Sequence, residues 1–400
     1  MSKKKLLFLS HRLPYPPNKG DKIRSYNFVK RLAEDFDVYI GTFIDDPADR
    51  ENIGGLHDIC KDFFVAELKP GIGKILSLRG LLTGEALTLP YFRSADLGAW
   101  VRKILREEKP DVAFIFSSSM AQYVIDDPNR PDRIVTDFVD VDSDKWLQYA
   151  KQEKGLFRWL YQREGVRLLD FERKTAAASQ ASLLVSEKEA DLFRGLMNGQ
   201  RCAVYGVENG IDADFFSPEH HFESVYDGEN PVVTMTGAMD YKPNVDGAIW
   251  FADEILPLIR RQAPGTQFCI VGSSPTPAVQ ALGKRDGIHV TGRVPDVRPY
   301  IAQATAIVAP IRIARGIQNK VLEGMAMARP VITTSPAFEG IEAETGEELI
   351  VADTAEDFAK AALDVIEGRI NPEIGVKARS RVAGQYSWQT KYDKLRSLLG

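Results

Sequence analysis

The sequence predicts an α/β protein built from two Rossmann-like domains, each carrying its own parallel sheet. Three observations lead there. Short, continuously apolar runs recur along the 400 residues, and each is followed by a stretch with helical periodicity. Such runs mark strands buried on both faces, and their alternation with helices builds parallel sheets from βαβ units. The runs also fall into two series separated by turn-rich, acidic chain, and this length suits two domains of about 150–200 residues.

The first series comprises Lys5–Ser10, Val38–Phe43, Phe63–Leu68, Val112–Phe116, Arg133–Phe138 and Ala181–Val185. A single long helix dense in Lys, Arg and Glu is predicted within it, over Ser143–Ala178. The second series comprises Pro231–Thr236, Thr266–Val271, Gly287–Thr291, Ala306–Pro310 and Pro330–Thr333. Between them, YGVENGIDADFFSP carries Asn209, Gly210 and Pro218 as turn residues. At the end, Ser387 reads as an N-cap, and Trp388, Tyr392, Leu395 and Leu399 follow at helical spacing. That is an amphipathic helix that must dock on something. The expected division is 1–205, then 206–385, with 386–400 returning to the first domain.

Composition narrows the function. With 44% hydrophobic and 27% charged residues the chain is of ordinary globular make-up, and its net charge of −5 gives no global reason to bind nucleic acid. The three cysteines, Cys60, Cys202 and Cys269, lack CxxC spacing and form neither a disulfide framework nor a cysteine-based zinc site. A reducing cytoplasm is the expected location. The apolar N-terminal run stops at Leu9 before HRLPYPP, too short for a signal peptide, and no stretch approaches the ~20 apolar residues of a membrane span. GxGxxG after the first strand, GxxxxGK[ST], GxSxG and HExxH are all missing. Dinucleotide, P-loop, nucleophile-elbow and zinc-protease chemistry are therefore not indicated.

Ligands of open α/β sheets bind at the carboxyl ends of strands, and two such domains facing each other form a cleft. Gly237 ends a buried strand and lets backbone approach a ligand there, and Lys242 stands at the next helix N-terminus. Those residues read either as a diphosphate contact or as a plain strand-to-helix turn with a solvated lysine. Further on, a polar loop with Arg312 and Arg315 precedes a helix holding Lys320 and Glu323, three residues apart and so on one face. The bland reading is an exposed ion pair. At a strand's carboxyl end the favoured one has cations neutralising phosphate while Glu323 accepts hydrogen bonds from ribose.

DFVDVDSD places Asp137, Asp140, Asp142 and Asp144 after a buried strand. A DxD metal pair is one reading and helix capping by Asp142 or Ser143 another. A calcium loop is disfavoured, because Lys145 and Lys151 stand where glycine and glutamate are needed. The favoured account is mixed: some of these residues cap, and Asp140 or Asp142 orients or deprotonates an acceptor hydroxyl. In the loop after the first strand, Asp21 reads as a helix N-cap with Arg24 offsetting its charge, and His11 reads either as facing the cleft or, the favoured reading, as exposed or structural. From Lys69 to Lys109, basic residues interleave with Ile72, Ile75, Leu76, Leu78, Leu81 and Leu82. This window reads as helices with their apolar faces in the core, or as a peripheral contact with anionic lipid.

Taken together, SHRLPYPPNKGDKIR, ENGIDADFFSP, TGRVPDV, VLEGMAMARPVITT and the terminal YSW resemble, in this order, a GT-B glycosyltransferase of family 4. ARGIQNKVLEGMAMARPV with DFVDVDSDKW is similar to sugar transferases of PEP-CTERM/exosortase and exopolysaccharide systems. The resemblance implies sugar transfer from a nucleotide-sugar donor to an acceptor hydroxyl, retaining and without a bound metal or other cofactor. It implies a glycan or lipid-linked acceptor. Glu323 matches the family's second, ribose-binding glutamate, whereas Arg315 stands where the first is usual. Lys242 matches one of the family's basic pair, and Arg293, Arg312, Arg315 or Lys320 supplies the other charge. The resemblance sets Gly20 beside the donor diphosphate, and Ser117–Ser119 stand where a histidine is common. A sugar-nucleotide 2-epimerase and a non-enzymatic cytoplasmic binding protein are the rival readings.

Overall fold

The computed structural model describes residues 3–17, 20–68, 71, 73, 77–200, 202–226, 228, 230–314 and 317–399. Arg315 lies outside the described residues, as do Lys69, Ile72, Lys74, Ile75 and Leu76 of the basic, leucine-rich window. The chain divides into two compact units, Met1–Asn209 with Lys391–Gly400, and Gly210–Thr390.

The first unit is a seven-stranded parallel sheet of β1 (Lys4–Ser10), β2 (Phe36–Ile44), β3 (Asp62–Glu67), β4 (Val112–Phe116), β5 (Arg133–Val139), β6 (Ala181–Leu184) and β7 (Val204–Gly206). Its order is β3-β2-β1-β4-β5-β6-β7. β1 pairs with β2 from Lys4↔Phe36 to Ser10↔Thr42, and with β4 from Leu6↔Val112 to Ser10↔Phe116. The order reverses between β1 and β4, so a switch point opens at their carboxyl ends. Apolar β4 is buried throughout because helices cover both faces of the sheet.

The covering helices include α1 (Gly20–Asp35), α2 (Ala95–Glu107), α3 (Asp142–Gln152), α4 (Gly155–Ala178) and α5 (Glu187–Leu196). α2 starts where Ser94 accepts the Leu97 amide (3.3 Å), and it buries Leu97, Val101, Ile104 and Leu105 at helical spacing. This part of the basic window thus turns its apolar face into the core. The single helix predicted over 143–178 is two. Glu153 and Lys154 are extended and Gly155 has φ +58°, a conformation that ends one helix before the next begins. Asp21 is likewise not an N-cap: α1 begins at Gly20, and Asp21 lies inside its first turn.

The second unit is a six-stranded parallel sheet of β8 (Val232–Thr236), β9 (Gln267–Val271), β10 (Ile288–Gly292), β11 (Ala306–Ala309), β12 (Val331–Thr333) and β13 (Ile350–Val351). Its order is β10-β9-β8-β11-β12-β13. Its switch point lies between β8 and β11. Helices α6 (Lys242–Trp250), α7 (Asn319–Ala326) and α8 (Ala355–Ile366) pack on it around a core containing Val233, Met235, Phe251, Ile307 and Phe358.

The chain closes with α9 (Trp388–Leu399). Ser387 caps it by accepting the Thr390 amide (3.2 Å), and Trp388, Tyr392, Leu395 and Leu399 are buried. From Lys391 on the helix belongs to the first unit. There the Tyr392 hydroxyl donates to Asp35 (2.6 Å) and Lys394 donates to the Gly206 carbonyl (2.6 Å).

Candidate functional site

In the second unit the ends of β8, α6 and α7 converge on Gly237. Its φ is +148°, and a Cβ there would stand 2.7 Å from Asn244 Nδ2 and 3.2 Å from Lys320 Nζ. Only glycine fits, both for backbone conformation and for space. Asn244, on α6, donates to the Ala238 carbonyl (2.8 Å) and accepts a hydrogen bond from Lys320 Nζ, so it holds the turn and the ammonium together. Lys320 is 8% exposed. Burial pushes its pKa down to about 8, against the opposing pull of Glu323. Glu323, one turn along α7, is half-buried, and burial pushes its carboxyl up to about 7 against the Lys320 charge. Among the described residues none donates to that carboxylate.

The other predicted cations of this unit are dispersed. Lys242 is exposed and pairs with Asp246 one turn on (2.8 Å). Arg293 is exposed just past β10, and among the described residues no carboxylate pairs with it. Arg312 lies over the Trp250 ring, 5.2 Å from its centroid.

In the first unit a cavity of about 560 Å³ opens at the carboxyl ends of β1, β4 and β5. Its walls are apolar and aromatic, with Leu87, Tyr91, Phe92, Trp146, Leu160, Tyr161 and Leu168, and its polar groups include His11, Ser117, Asp140, Asp142, Lys145 and Glu164. Two strand ends here hold strained backbone: Ser117 at φ +77° and Val139 at φ +68°. A β-branched valine avoids that region unless its surroundings enforce it, and such strain collects at functional sites.

Asp140 and Asp142 both bind Lys145 Nζ, at 2.8 and 3.2 Å. Burial works against the Lys145 charge, but the two carboxylates outweigh it and hold the ammonium above its ordinary range. The chain thus supplies its own cation between these two acids. The capping expectation is replaced. Val141 is the N-cap residue of α3, and Ser143 instead donates through its amide (3.2 Å) and hydroxyl (2.5 Å) to Glu172 of α4. Burial pushes the Glu172 carboxyl up to about 8.

His11 departs from the exposed reading. Its ring stacks parallel to Phe116 at 5.9 Å and meets Phe92 edge-on at 5.7 Å. Burial pushes its pKa down to about 4, so the imidazole is neutral at pH 7. Its Nε2 lies 3.7 Å from Asp21, whose carboxylate accepts from Arg12 (2.7 Å). Arg12, rather than Arg24, therefore offsets Asp21. Arg24 turns inward, binding Asp137 through Nε (2.7 Å) and Nη2 (3.2 Å).

Sequence reading passed over Glu164 and Glu172. Glu164 accepts the amides of Leu87 (2.5 Å) and Thr88 (2.9 Å), which fixes the chain that forms one cavity wall. The available signal was their phase: residues 164, 168 and 172 recur at four-residue spacing around buried Leu168, which places both glutamates on the helix face turned inward.

Residues 230–368 match the family described as Glycosyl transferases group 1. The whole fold is similar to that of Anabaena HepE, solved in complex with UDP and glucose, with a TM-score of 0.63, 14% identity and 99% of each chain covered. Sucrose-phosphate synthase from Thermosynechococcus elongatus is similar too, with a TM-score of 0.63, 17% identity and coverage of 99% of this chain and 98% of that one. In sequence, an uncharacterized 44.6 kDa protein in the cps region of Klebsiella pneumoniae is 22% identical over 378 residues, 89% of each chain. The architecture is therefore GT-B, and the match to the glycosyltransferase group 1 family lies within the second unit.

Proposed function

We propose that this protein is a glycosyltransferase that moves a sugar from a nucleotide-sugar donor to an acceptor hydroxyl. The reading rests above all on one observation: Lys320, a buried cation, stands against Gly237 at the end of β8, with Glu323 one turn away, inside the domain that matches the transferase family. Cleaving a sugar–diphosphate bond leaves negative charge on the leaving oxygens. A cation fixed in a low-dielectric site stabilises that charge without reorganising. Glu323 is free to accept hydrogen bonds from ribose hydroxyls. Gly20, where α1 begins, and Arg293 are the further donor contacts we assign, and Arg315 and Lys242 complete the charge around the donor.

In the first unit we assign Asp140 and Asp142 to the acceptor hydroxyl, with Lys145 setting their orientation. The reaction is metal-independent and retaining in this proposal, and the nucleotide sugar is a substrate, not a cofactor. A uridine donor is supported by the UDP in the HepE complex. A lipid-linked glycan acceptor, in exopolysaccharide assembly at the cytoplasmic face of a membrane, is supported by the cps-region relative and by the resemblance to PEP-CTERM/exosortase-associated sugar transferases.

The test is a panel of UDP-, GDP- and ADP-sugars, following nucleotide release with and without lipid extract. Release from one donor that depends on the extract, and that disappears in Lys320→Met, is the expected result. Release with a 2-epimeric sugar product and no acceptor requirement replaces the proposal with an epimerase. Tight donor binding without turnover replaces it with a binding protein.

A further inference from the structure

At the turn between α3 and α4, every residue from Lys151 to Trp159 is exposed. Among them Leu156 is 73% exposed, Phe157 58% and Trp159 54%. Large apolar side chains gathered at one projecting turn mark an interaction surface, whereas scattered ones would not. The surface extends to a neighbouring element. Arg163 of α4 donates to the carbonyls of Gly80 (2.5 Å) and Glu85 (3.1 Å), which ties the short helix Arg79–Thr83 alongside, and there Leu82 is 90% exposed.

Charge identifies the partner. Lys151, Lys154 and Arg158 alternate with these side chains along the turn and Arg79 opens the short helix; all four are exposed and, among the described residues, none forms an ion pair, while Glu153 is the one acid within 151–159 and Glu85, after the short helix, pairs with Arg93. Exposed leucine and aromatic groups ringed by basic residues suit the boundary between anionic headgroups and acyl chains. The patch also connects to the cavity: Phe157 contacts Tyr161 (6.3 Å between centroids), Tyr161 contacts Trp146 (5.3 Å), and both of the latter line the cavity wall.

We infer that the α3–α4 turn, with the helix Arg79–Thr83, is the surface by which this protein docks on an anionic lipid bilayer. The surface itself stands on exposure and charge. Its purpose, bringing the cavity to a lipid-linked acceptor, rests on the transferase reading. The aromatic row then leads from the bilayer to Asp140 and Asp142.

The experiment is sedimentation of the full chain with vesicles of equal parts phosphatidylglycerol and phosphatidylcholine, against pure phosphatidylcholine. We expect strong preference for the anionic vesicles. Lys151→Gln, Lys154→Gln and Arg158→Gln should each weaken binding about fivefold, and Leu156→Ser with Phe157→Ser and Trp159→Ser should abolish it. Unchanged circular dichroism and UDP affinity would show the variants folded. Equal sedimentation with both vesicle types, variants that bind like the wild type, or a dimer in light scattering that the serine variant dissociates would each overturn the inference. Vesicle binding by a protein that turns over no nucleotide sugar would remove the transferase reading and leave the docking surface standing.

Discussion

Arg24 grips both carboxylate oxygens of Asp137 across 113 residues of sequence, with neither side chain exposed. The pair joins α1 to the end of β5, two residues before strained Val139. Arg24 also donates to Asn209 (3.1 Å), the last residue before the second unit. Breaking such a pair strands one buried charge and costs about 3–5 kcal/mol, whereas replacing both partners with apolar groups is often neutral. Arg24→Met alone should lower the unfolding free energy of the first unit by that amount. Arg24→Met with Asp137→Leu should restore most of it. Denaturant unfolding of both variants checks this.

His11 makes the first unit sensitive to acid. Its folded pKa, about 4, lies below the ordinary 6.5, so between those values the unfolded chain binds more protons. The neutral imidazole therefore contributes stability that is full above about pH 6.5 and is lost as the pH falls towards 4. Glu172 acts oppositely. Raised to about 8 in the fold, it contributes stability that is lost as the pH rises from the ordinary carboxylate range to 8. Melting curves of His11→Phe should lose the acid-side fall, and those of Glu172→Gln the alkaline-side fall.

If the proposed donor site is right, Lys320 should set the pH range of donor binding. Above about pH 8 Lys320 loses its proton, and with it the charge that attracts a diphosphate. UDP affinity should decline through that pH in the wild type. Lys320→Met should show no such decline and bind about 10–100-fold more weakly at pH 7, the scale of a lost charge-assisted hydrogen bond. Calorimetric titration at several pH values resolves both effects.

Glu323→Ala separates ribose from phosphate. With the carboxylate accepting from the sugar hydroxyls, the variant should weaken UDP binding about tenfold and leave inorganic pyrophosphate unaffected. Equal losses for both ligands would assign Glu323 to the Lys320 charge instead.

Asp140→Asn and Asp142→Asn should each reduce turnover at least about tenfold while UDP affinity stays unchanged. Turnover within twofold of the wild type in both variants would remove these residues from the acceptor site. Lys145→Met should reproduce the loss by releasing the two carboxylates.

Much of the fold was legible because unbroken apolar runs such as Val112–Phe116 have one stable use, as strands covered on both faces. β7 and β13 escaped because three and two residues show no periodicity. The α3–α4 break escaped because residues on both sides keep helical spacing, and only the backbone of Glu153, Lys154 and Gly155 interrupts it. Charged residues were harder to read. Lys242 and Lys320 look alike in sequence, yet one is solvated beside Asp246 and the other is buried against Asn244. The partner of a charge depends on side chains distant in sequence, as Arg24 with Asp137 and Arg12 with Asp21 show.

The last ten residues, Lys391–Gly400, belong with Met1–Asn209 although the entire second unit is threaded between them. The second unit is one continuous segment, but simple truncation cannot yield the first unit whole. A gene ending at Asn209 omits Tyr392 and Lys394, which bind Asp35 and the β7 carbonyl of Gly206. A circularly permuted gene, joining the C-terminal helix to the original N-terminus through a short linker, is the way to produce the first unit whole.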